Sequence, residues 1–240
     1  MRTGRRPFPS GVLPALLVLA AVAALPASLA GTALPRHETG QEDRALELLR
    51  EAGRRYREID AFCAGFRQEM VVPLLDRVTR SRGILCQKRP DRFSMRFTEP
   101  EGDVIVADGE YFWVYYPSAD PGQVIRFTVA SRPGGMDFQR EFLEDPGEKY
   151  ELEYLGRDEV AGRSTHLILA RPRGPSTFVR ARIWLDPARS LIRQVELAME
   201  NGSVRTVTLG DFRMDPEPDP DRFTFTPPPG AQVIPRGEGR

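Results

Sequence analysis

The segment at residues 83–97 constrains the fold of this 240-residue chain most strongly. Pro90 divides it into two runs, and the second run alternates so that Phe93, Met95 and Phe97 share one side. Strict alternation is typical of a β-strand with one buried face. Basic residues in the bend at Pro90 lie beside this apolar row. The row therefore packs on an ordinary hydrophobic core or lines the mouth of a lipid-binding site, and the segment alone leaves both alternatives open.

The N-terminus has the pattern of a secretory signal peptide. Two arginines precede an apolar run at residues 12–25, and Ser28 and Ala30 fit the small-residue positions of a cleavage site. We expect residues 1–30 to be removed near Ala30 and the mature protein to be exported to the periplasm as a soluble protein. An uncleaved membrane anchor is the alternative. Residues 31–41 are polar and are predicted to form a flexible leader.

An amphipathic helix is predicted at residues 42–59, where apolar residues recur on one helix face and charged residues occupy the other. Leu49 lies within the apolar stripe. Because a long series of strand-like segments follows, we expect this helix to lie across a sheet.

Cys63 and Cys86 are the only cysteines of the chain. They lie in two strand-like runs, at residues 62–69 and 79–88, that could pair as a hairpin. Opposed residues in a hairpin share a constant index sum, and this pair places the turn at residues 74–75. A directly opposed pair has the Cα spacing that a disulfide needs. We predict a structural disulfide, with two free buried thiols as the alternative.

About eleven strand-like segments occur at regular spacing, separated by turns such as Asp108-Gly109 and Asn201-Gly202. They predict a single antiparallel meander, open or nearly closed. The strand at residues 111–116 is apolar on both faces. It is either a central strand under the helix or the border of a cavity, and the sequence does not say which face points inward.

Two further segments depart from the strand pattern. Residues 133–148, which include Phe142, are predicted to form a short helix that ends at Pro146-Gly147 and acts either as a lid or as a plain crossover. Phe223 and Phe225 are expected to re-enter the fold after a proline-rich acidic spacer. Residues 235–240 are predicted to be a disordered tail.

The composition argues against several classes of function. Residues 1–30 contain three arginines and no acidic residue, so the remaining chain has a net charge of about −3, which is unsuited to nucleic-acid binding. The sequence has no glycine-rich phosphate loop, no metal-ligand spacing and no nucleophile motif. His37 and His166 have no recognisable catalytic partners. We therefore expect no enzymatic activity, no cofactor, no metal and no nucleic-acid partner.

Five segments together resemble the LolA family of periplasmic carriers of outer-membrane lipoproteins, and their order and spacing hold from about residue 44 to residue 234. They are Phe62-Cys-Ala-Gly-Phe-Arg-Gln68, Gly83-x-Leu-x-x-Lys-Arg-Pro-x-x-Phe93, Val104-Ile-Val-Ala-Asp-Gly109, Trp113-Val-Tyr-x-Pro117 and Phe223-Thr-Phe-Thr-Pro-Pro-Pro-Gly230. The second and the last segments are the most specific. The cysteine pair is not part of this resemblance.

The resemblance implies a mainly β single domain at residues 42–234, with an eleven-stranded, incompletely closed barrel and helices as a lid over a hydrophobic cavity. It implies that Arg89 holds the lid closed through hydrogen bonds to helix backbone, and that Phe93 lies at the cavity entrance and serves in docking to the donor. Strand parity and the resemblance together suggest cavity-lining residues, namely Phe66, Met95, Phe97, Trp113, Leu49 and Phe142.

The partners implied are lipoprotein acyl chains, an inner-membrane ATP-binding-cassette complex that releases lipoproteins, and an outer-membrane acceptor. We expect a monomer. Two alternatives stay open: another lipid-binding protein of the same fold, of the acceptor or envelope-stress-sensor type, and an enzyme that acts on lipid or glycan.

Overall fold

The structure, a computed structural model, describes residues 36–128, 137–214 and 217–236. Within these ranges the chain forms three helices, which are α1 (Arg36–Arg57), α2 (Phe138–Leu143) and α3 (Pro146–Lys149). The same ranges contain twelve strands: β1 (Ala61–Val72), β2 (Arg77–Lys88), β3 (Arg92–Glu99), β4 (Glu101–Asp108), β5 (Tyr111–Tyr115), β6 (Gln123–Thr128), β7 (Tyr150–Val160), β8 (Arg163–Pro172), β9 (Arg180–Asp186), β10 (Leu191–Ala198), β11 (Val204–Met214) and β12 (Gln232–Arg236). The predicted signal peptide, residues 31–35 of the predicted leader and residues 237–240 lie outside the described residues.

The strands form one sheet in the spatial order β12-β6-β5-β4-β3-β2-β1-β11-β10-β9-β8-β7. Two meanders, β1 to β6 and β7 to β11, are joined where β1 pairs with β11. These pairings are antiparallel, and β7 and β12 stand at the two ends of the order. The prediction of a mainly β domain with an open antiparallel sheet is therefore confirmed.

The last strand departs from the prediction. β12 pairs in parallel with β6, from Gln232 opposite Gln123 to Arg236 opposite Phe127, so the sheet has one strand more than predicted. Residues 235–236, expected in a disordered tail, belong to it. The proline-rich segment before β12 positions it beside β6, and the amide of Gln232 donates to the carbonyl of Gly122 at 2.8 Å. A five-residue parallel strand has too little alternation to be identified from sequence.

Helix α1 covers part of the sheet through its apolar stripe, of which Ala45, Leu48, Leu49 and Ala52 are buried. It starts six residues before the predicted start and ends two residues before the predicted end. Its approach to α2 is close at Gly53, where an added Cβ would lie 2.5 Å from the carbonyl oxygen of Leu143. Only a residue without a side chain allows this approach.

The cysteines lie on the face of the sheet opposite the helices. Cys63 and Cys86 are directly opposed and bonded to each other, and the turn lies at Pro73–Leu75 as the index sum predicted. Phe223 packs against the disulfide. Arg96 donates from Nη2 to the carbonyls of Asp221, Arg222 and Thr224 at 3.1, 3.3 and 3.0 Å. These contacts hold residues 220–225, the C-terminal strap, on the outer face, so the expected re-entry of Phe223 is confirmed.

The segment predicted as one helix at residues 133–148 contains two short helices. Asp137 caps α2 by accepting a hydrogen bond from the amide of Arg140 at 3.2 Å. Pro146-Gly147, expected to end the helix, instead begins α3, because proline suits the first turn of a helix. Residues 133–136 lie outside the described part. Among the described helices, none has the combined length and apolar character needed to cross a membrane.

Candidate functional site

A row of apolar side chains lies on the inner face of the sheet, towards the helices. Phe66 of β1 and Phe97 of β3 have ring centroids 4.9 Å apart, and Phe93 stacks on Phe112 of β5 at 6.2 Å. Met95 lies between Phe93 and Phe97 on the same face of β3 and is fully buried. All five side chains belong to one hydrophobic cluster. The structure therefore brings together the row that the alternating pattern predicted.

Residues of the helices also belong to this cluster. Leu49 of α1 and Phe142 of α2 both belong to it, and Phe142 packs against the rings of Tyr150 and Phe178 at 5.4 and 5.8 Å. Leu49, Met95 and Phe142 each have 0% of their surface exposed. In this structure the space expected to form a cavity is thus occupied by these side chains. Packing two apolar surfaces against each other removes both from water, which is the favoured arrangement without a ligand.

Trp113, proposed as a cavity residue, lies on the opposite face of the sheet. Its neighbours Phe112 and Val114 belong to the inner cluster, so the alternation of β5 directs Trp113 outward. Its indole Nε1 donates to Asp108 Oδ2 at 2.7 Å, and its ring lies 5.8 Å from that of Phe225 in the C-terminal strap. Trp113 is therefore not part of the candidate site.

Arg89 caps the C-terminal end of α1. Its Nε donates to the carbonyl of Ile59 at 3.0 Å, and its Nη2 donates to the carbonyl of Tyr56 at 2.8 Å. Its own amide donates to the carbonyl of Asp60 at 2.9 Å. The last carbonyls of a helix have no partner within the helix, so these bonds fix the end of α1 to the turn between β2 and β3. The Tyr56 carbonyl belongs to α1, whereas Ile59 lies two residues beyond the end of the helix.

A second group of polar side chains fixes α2 to the same turn. Gln87 of β2 donates from Nε2 to Asp137, fifty residues along the chain. Arg140 Nη1 donates to Asp91 Oδ1 at 2.5 Å. The Tyr56 hydroxyl donates to Gln87 Oε1 at 3.4 Å. Burial raises the pKa of the Tyr56 phenol and the nearby Asp137 carboxylate raises it further, so this hydroxyl stays protonated as a donor.

We call Arg89, Gln87, Asp91, Asp137 and Arg140 the latch. A small cavity of about 30 Å³ lies among these residues, which is room for about one water molecule. Sequence reasoning found Arg89 but missed the other four. Asp137 could have been found as a helix-capping residue just before Phe138 and Phe142, whereas the partners of Gln87, Asp91 and Arg140 depend on contacts between distant segments.

Phe93 lies directly beneath the latch, because it is opposed to Gln87 in the pairing of β2 with β3. Only 2% of its surface is exposed. Phe93 is therefore buried beside the latch, at the end of the row formed with Met95 and Phe97.

Few other side chains within residues 36–128, 137–214 and 217–236 suggest metal binding or catalysis. These ranges contain no group of three or more His, Cys, Asp or Glu side chains arranged to hold a metal ion. His166 is buried, and its Nδ1 lies 3.0 Å from the Tyr154 hydroxyl. Burial lowers the pKa of this imidazole, and Arg157 lowers it further. A neutral, hydrogen-bonded histidine of this kind supports the structure of β8.

Comparisons with known proteins identify the family of this chain. The family profile "Outer membrane lipoprotein carrier protein LolA" matches residues 57–226. An outer-membrane lipoprotein carrier protein of Alkalilimnicola ehrlichii is 32% identical over 67% of this chain and 71% of its own length. Its counterpart in Halorhodospira halophila is 28% identical over 74% and 81%. A LolA superfamily protein of Nitrosomonas europaea aligns in structure with a TM-score of 0.40 at 16% identity, over 75% of this chain and 97% of that one. The family profile covers more than half of the chain, and this protein therefore belongs to the LolA family.

Proposed function

We propose that this protein carries lipoproteins between the inner and outer membranes and holds their acyl chains between the helices and the inner face of the sheet. The observation that carries the proposal is that the apolar row of β1, β3 and β5 forms one buried cluster with residues of α1 and α2, while the polar latch joins both helices to the turn beside Phe93. A cover fixed by a few polar bonds at one end can be displaced without breaking the pairing of the strands.

Acyl chains would replace the side chains of the helices when the latch opens. Leu49 and Phe142 would move out of the cluster, with Phe142 leaving the rings of Tyr150 and Phe178, and hydrocarbon would occupy the space that they leave. The exchange replaces one apolar contact with another, so its free energy is small compared with that of transferring the chains from water. The strands keep their backbone hydrogen bonds throughout, and the sheet remains a fixed floor for the ligand.

The source of the cargo follows from the free energy of its acyl chains. Each buried CH₂ group contributes about 0.8 kcal/mol, so a lipoprotein with several chains is held in a bilayer by tens of kcal/mol. A carrier whose interior is comparable to a bilayer cannot extract it unaided at a useful rate. We therefore infer an inner-membrane ATP-binding-cassette complex as the donor and an outer-membrane acceptor that binds the lipoprotein more tightly. Phe93, exposed once the latch opens, would provide a docking point for the donor.

Native mass spectrometry of the protein recovered from the periplasm tests this proposal. We expect a fraction of the protein to carry one intact lipoprotein, and we expect the mass of the protein itself to place its N-terminus at Gly31. Recovery with phospholipid and never with lipoprotein would instead indicate a lipid-binding protein of another kind. A protein that remains free of both after incubation with the donor complex, ATP and lipoprotein would contradict the carrier function.

A further inference from the structure

The hairpin of β1 and β2 ends in an exposed apolar tip, which we define as residues 72–78. Leu74 is 81% exposed, Leu75 is 70% exposed and Val78 is 50% exposed. The 3-10 turn Pro73–Leu75 has no buried residue. Single exposed hydrophobic residues are common on proteins, but three large ones within five positions form a patch. Such a patch in a turn, where small polar residues are usual, indicates contact with an apolar phase.

The tip projects beyond β3 on one side of the hairpin. β2 pairs with β1 as far as Arg77, opposite Val72, whereas its pairing with β3 ends at Arg82, opposite Glu99. The five residues 77–81 therefore extend past β3 by about 16 Å, at about 3.3 Å per residue. On the other side, β11 supports β1 as far as Val71. The tip is thus a regular, paired hairpin rather than a loose loop.

Basic residues lie within the tip and in the part of the hairpin closer to the sheet. Arg67 and Arg82 are directly opposed across β1 and β2, an arrangement that is unfavourable for like charges unless an anion is close. Arg80 pairs with Glu69 at 2.8 Å, and Arg82 pairs with Glu99. In the part of the chain that the structure describes, Arg67 and Arg77 have no ion pair or side-chain hydrogen bond.

The charges of this hairpin sum to a basic surface. Residues 67–82 contain four arginines (67, 77, 80 and 82) and two acidic residues, Glu69 and Asp76. Along the hairpin axis, from the sheet towards the end of the hairpin, the order is Arg67 opposite Arg82, then Val71 opposite Val78, then Val72 opposite Arg77, then the leucines. Arginines next to an apolar end complement the phosphate layer and the acyl layer of an anionic membrane.

We propose that the hairpin tip binds the surface of an anionic phospholipid bilayer, with Leu74 and Leu75 among the acyl chains and Arg77 at the lipid phosphates, while Arg67 lies about 16 Å farther from the tip and attracts the anionic surface from a distance. An interfacial element sits about 5–10 Å below the headgroup boundary. Two to three residues of extended chain span that depth, so the leucines reach the acyl chains while Arg77 remains at the phosphates. The binding is peripheral and reversible.

Flotation with vesicles tests the proposal. The protein is used as it is purified from the cell envelope, and every variant is prepared in the same form so that all share one N-terminus. Vesicles of phosphatidylethanolamine and phosphatidylglycerol are compared with vesicles of phosphatidylcholine alone. We expect flotation with the anionic vesicles only, and binding at least about tenfold weaker for L74S/L75S because two apolar side chains no longer insert. The control variant is Leu155→Ser, which changes a leucine that is 41% exposed on β7 and should leave binding unchanged.

Substitution of the arginines tests the electrostatic part of the proposal independently of the leucines. R77Q should bind the anionic vesicles about fivefold more weakly. R67Q should have a smaller effect because Arg67 lies farther from the tip, and added salt should reduce both differences. All substituted residues are exposed, so circular dichroism should show unchanged folding.

Three results would overturn the proposal. One is equal flotation of the wild type and L74S/L75S. Another is binding that is equally strong to anionic and to neutral vesicles. The third is an apolar tip that mediates contact between two protein molecules, seen as self-association in sedimentation that L74S/L75S abolishes without any effect on vesicle binding. None of these results bears on whether the inner face carries lipoprotein.

Discussion

Arg89 and Tyr56, 33 residues apart, are joined by a hydrogen bond of 2.8 Å from the guanidinium Nη2 to the main-chain carbonyl of Tyr56. The same guanidinium stands over the Tyr56 ring, with its central carbon 5.3 Å from the ring centroid. A second bond, to the carbonyl of Ile59, uses the Nε of Arg89. One side chain on the turn after β2 therefore binds two main-chain carbonyls, one in the last turn of α1 and one just beyond it.

Removing this contact should strengthen the binding of hydrophobic ligand. In Arg89→Leu the closed state loses two charge-assisted hydrogen bonds, and because Arg89 is exposed we expect a combined loss of only about 2 kcal/mol. Ligand binding must break these bonds in the wild type, so the variant should bind an acyl probe about thirtyfold more tightly. It should also release the probe more slowly. Fluorescence titration and stopped-flow dissociation measure both quantities.

Arg92→Leu is the matched control, since Arg92 is exposed three residues further on. It should bind and release the probe like the wild type. If Arg89→Leu bound the probe with unchanged affinity and released it at the wild-type rate, the closed state would not depend on Arg89, and its assignment to the latch would fail.

Gly53 should tolerate no side chain. In Gly53→Ala the new Cβ would meet the carbonyl oxygen of Leu143 at 2.5 Å, and backbone cannot move aside as a side chain can. We expect the free energy of unfolding to fall by about 1–3 kcal/mol, as for other overpacked contacts. In the same helix, an added Cβ at Gly40 meets nothing within 4 Å. Gly40→Ala should therefore raise stability by up to about 1 kcal/mol. Urea denaturation compares the two, and a similar effect of both would refute the close approach of α1 to α2.

The parts of the fold that follow from local pattern could be predicted from the sequence. The opposed cysteines predict the register of β1 and β2, because a hairpin has only one register for a given pair. Alternation along β3 likewise identified Phe93, Met95 and Phe97 as one buried row.

The parts that depend on distant contacts could not be predicted. The strand at residues 111–116 is apolar on both faces and carries no signal for its inward face, so the sequence cannot exclude Trp113 from the cavity. The latch joins Gln87 to Asp137 and Asp91 to Arg140 across about fifty residues, and no periodicity links such positions. Segments that are short, exposed or composed of both apolar and polar residues show little hydrophobic periodicity. The strand β12 could not be predicted for the same reason.

The disulfide should contribute substantially to stability. It links residues 23 positions apart, and a closed loop of this size restricts the unfolded chain by about 3 kcal/mol. In C63A/C86A we expect the free energy of unfolding to fall by about this amount, while the packing of Phe223 is largely kept by the apolar alanines. A reducing agent should destabilise the wild type and leave the variant unchanged. Alkylation without reductant, followed by mass spectrometry, is the direct check, and two alkylated thiols in the native protein would refute the bond.

Stability in acid should depend on the buried pair Asp186 and Arg193, whose carboxylate Oδ2 and guanidinium Nη2 lie 2.7 Å apart. Only 6% and 5% of these side chains are exposed. Burial alone raises the pKa of Asp186, but the hydrogen bonds from Arg193 and from the amide of Ala188 outweigh it and hold the pKa below its usual range. The unfolded chain, with an ordinary aspartate pKa of about 3.9, therefore binds the proton first as the pH falls.

The sign of the pH effect follows from this difference. The contribution of Asp186 is fully present above about pH 5 and is lost as the pH falls through about 4 towards the lower pKa of the folded state. Asp186→Asn leaves Arg193 buried without a carboxylate, and we expect the free energy of unfolding at pH 7 to fall by about 3 kcal/mol. The difference between the wild type and Asp186→Asn should shrink below about pH 4, because the wild-type carboxylate is then protonated as well. Urea denaturation from pH 7 to pH 2.5 measures this difference. If it were constant over that range, the pKa of Asp186 would be the same in the folded and unfolded states, and its charge would contribute nothing to stability.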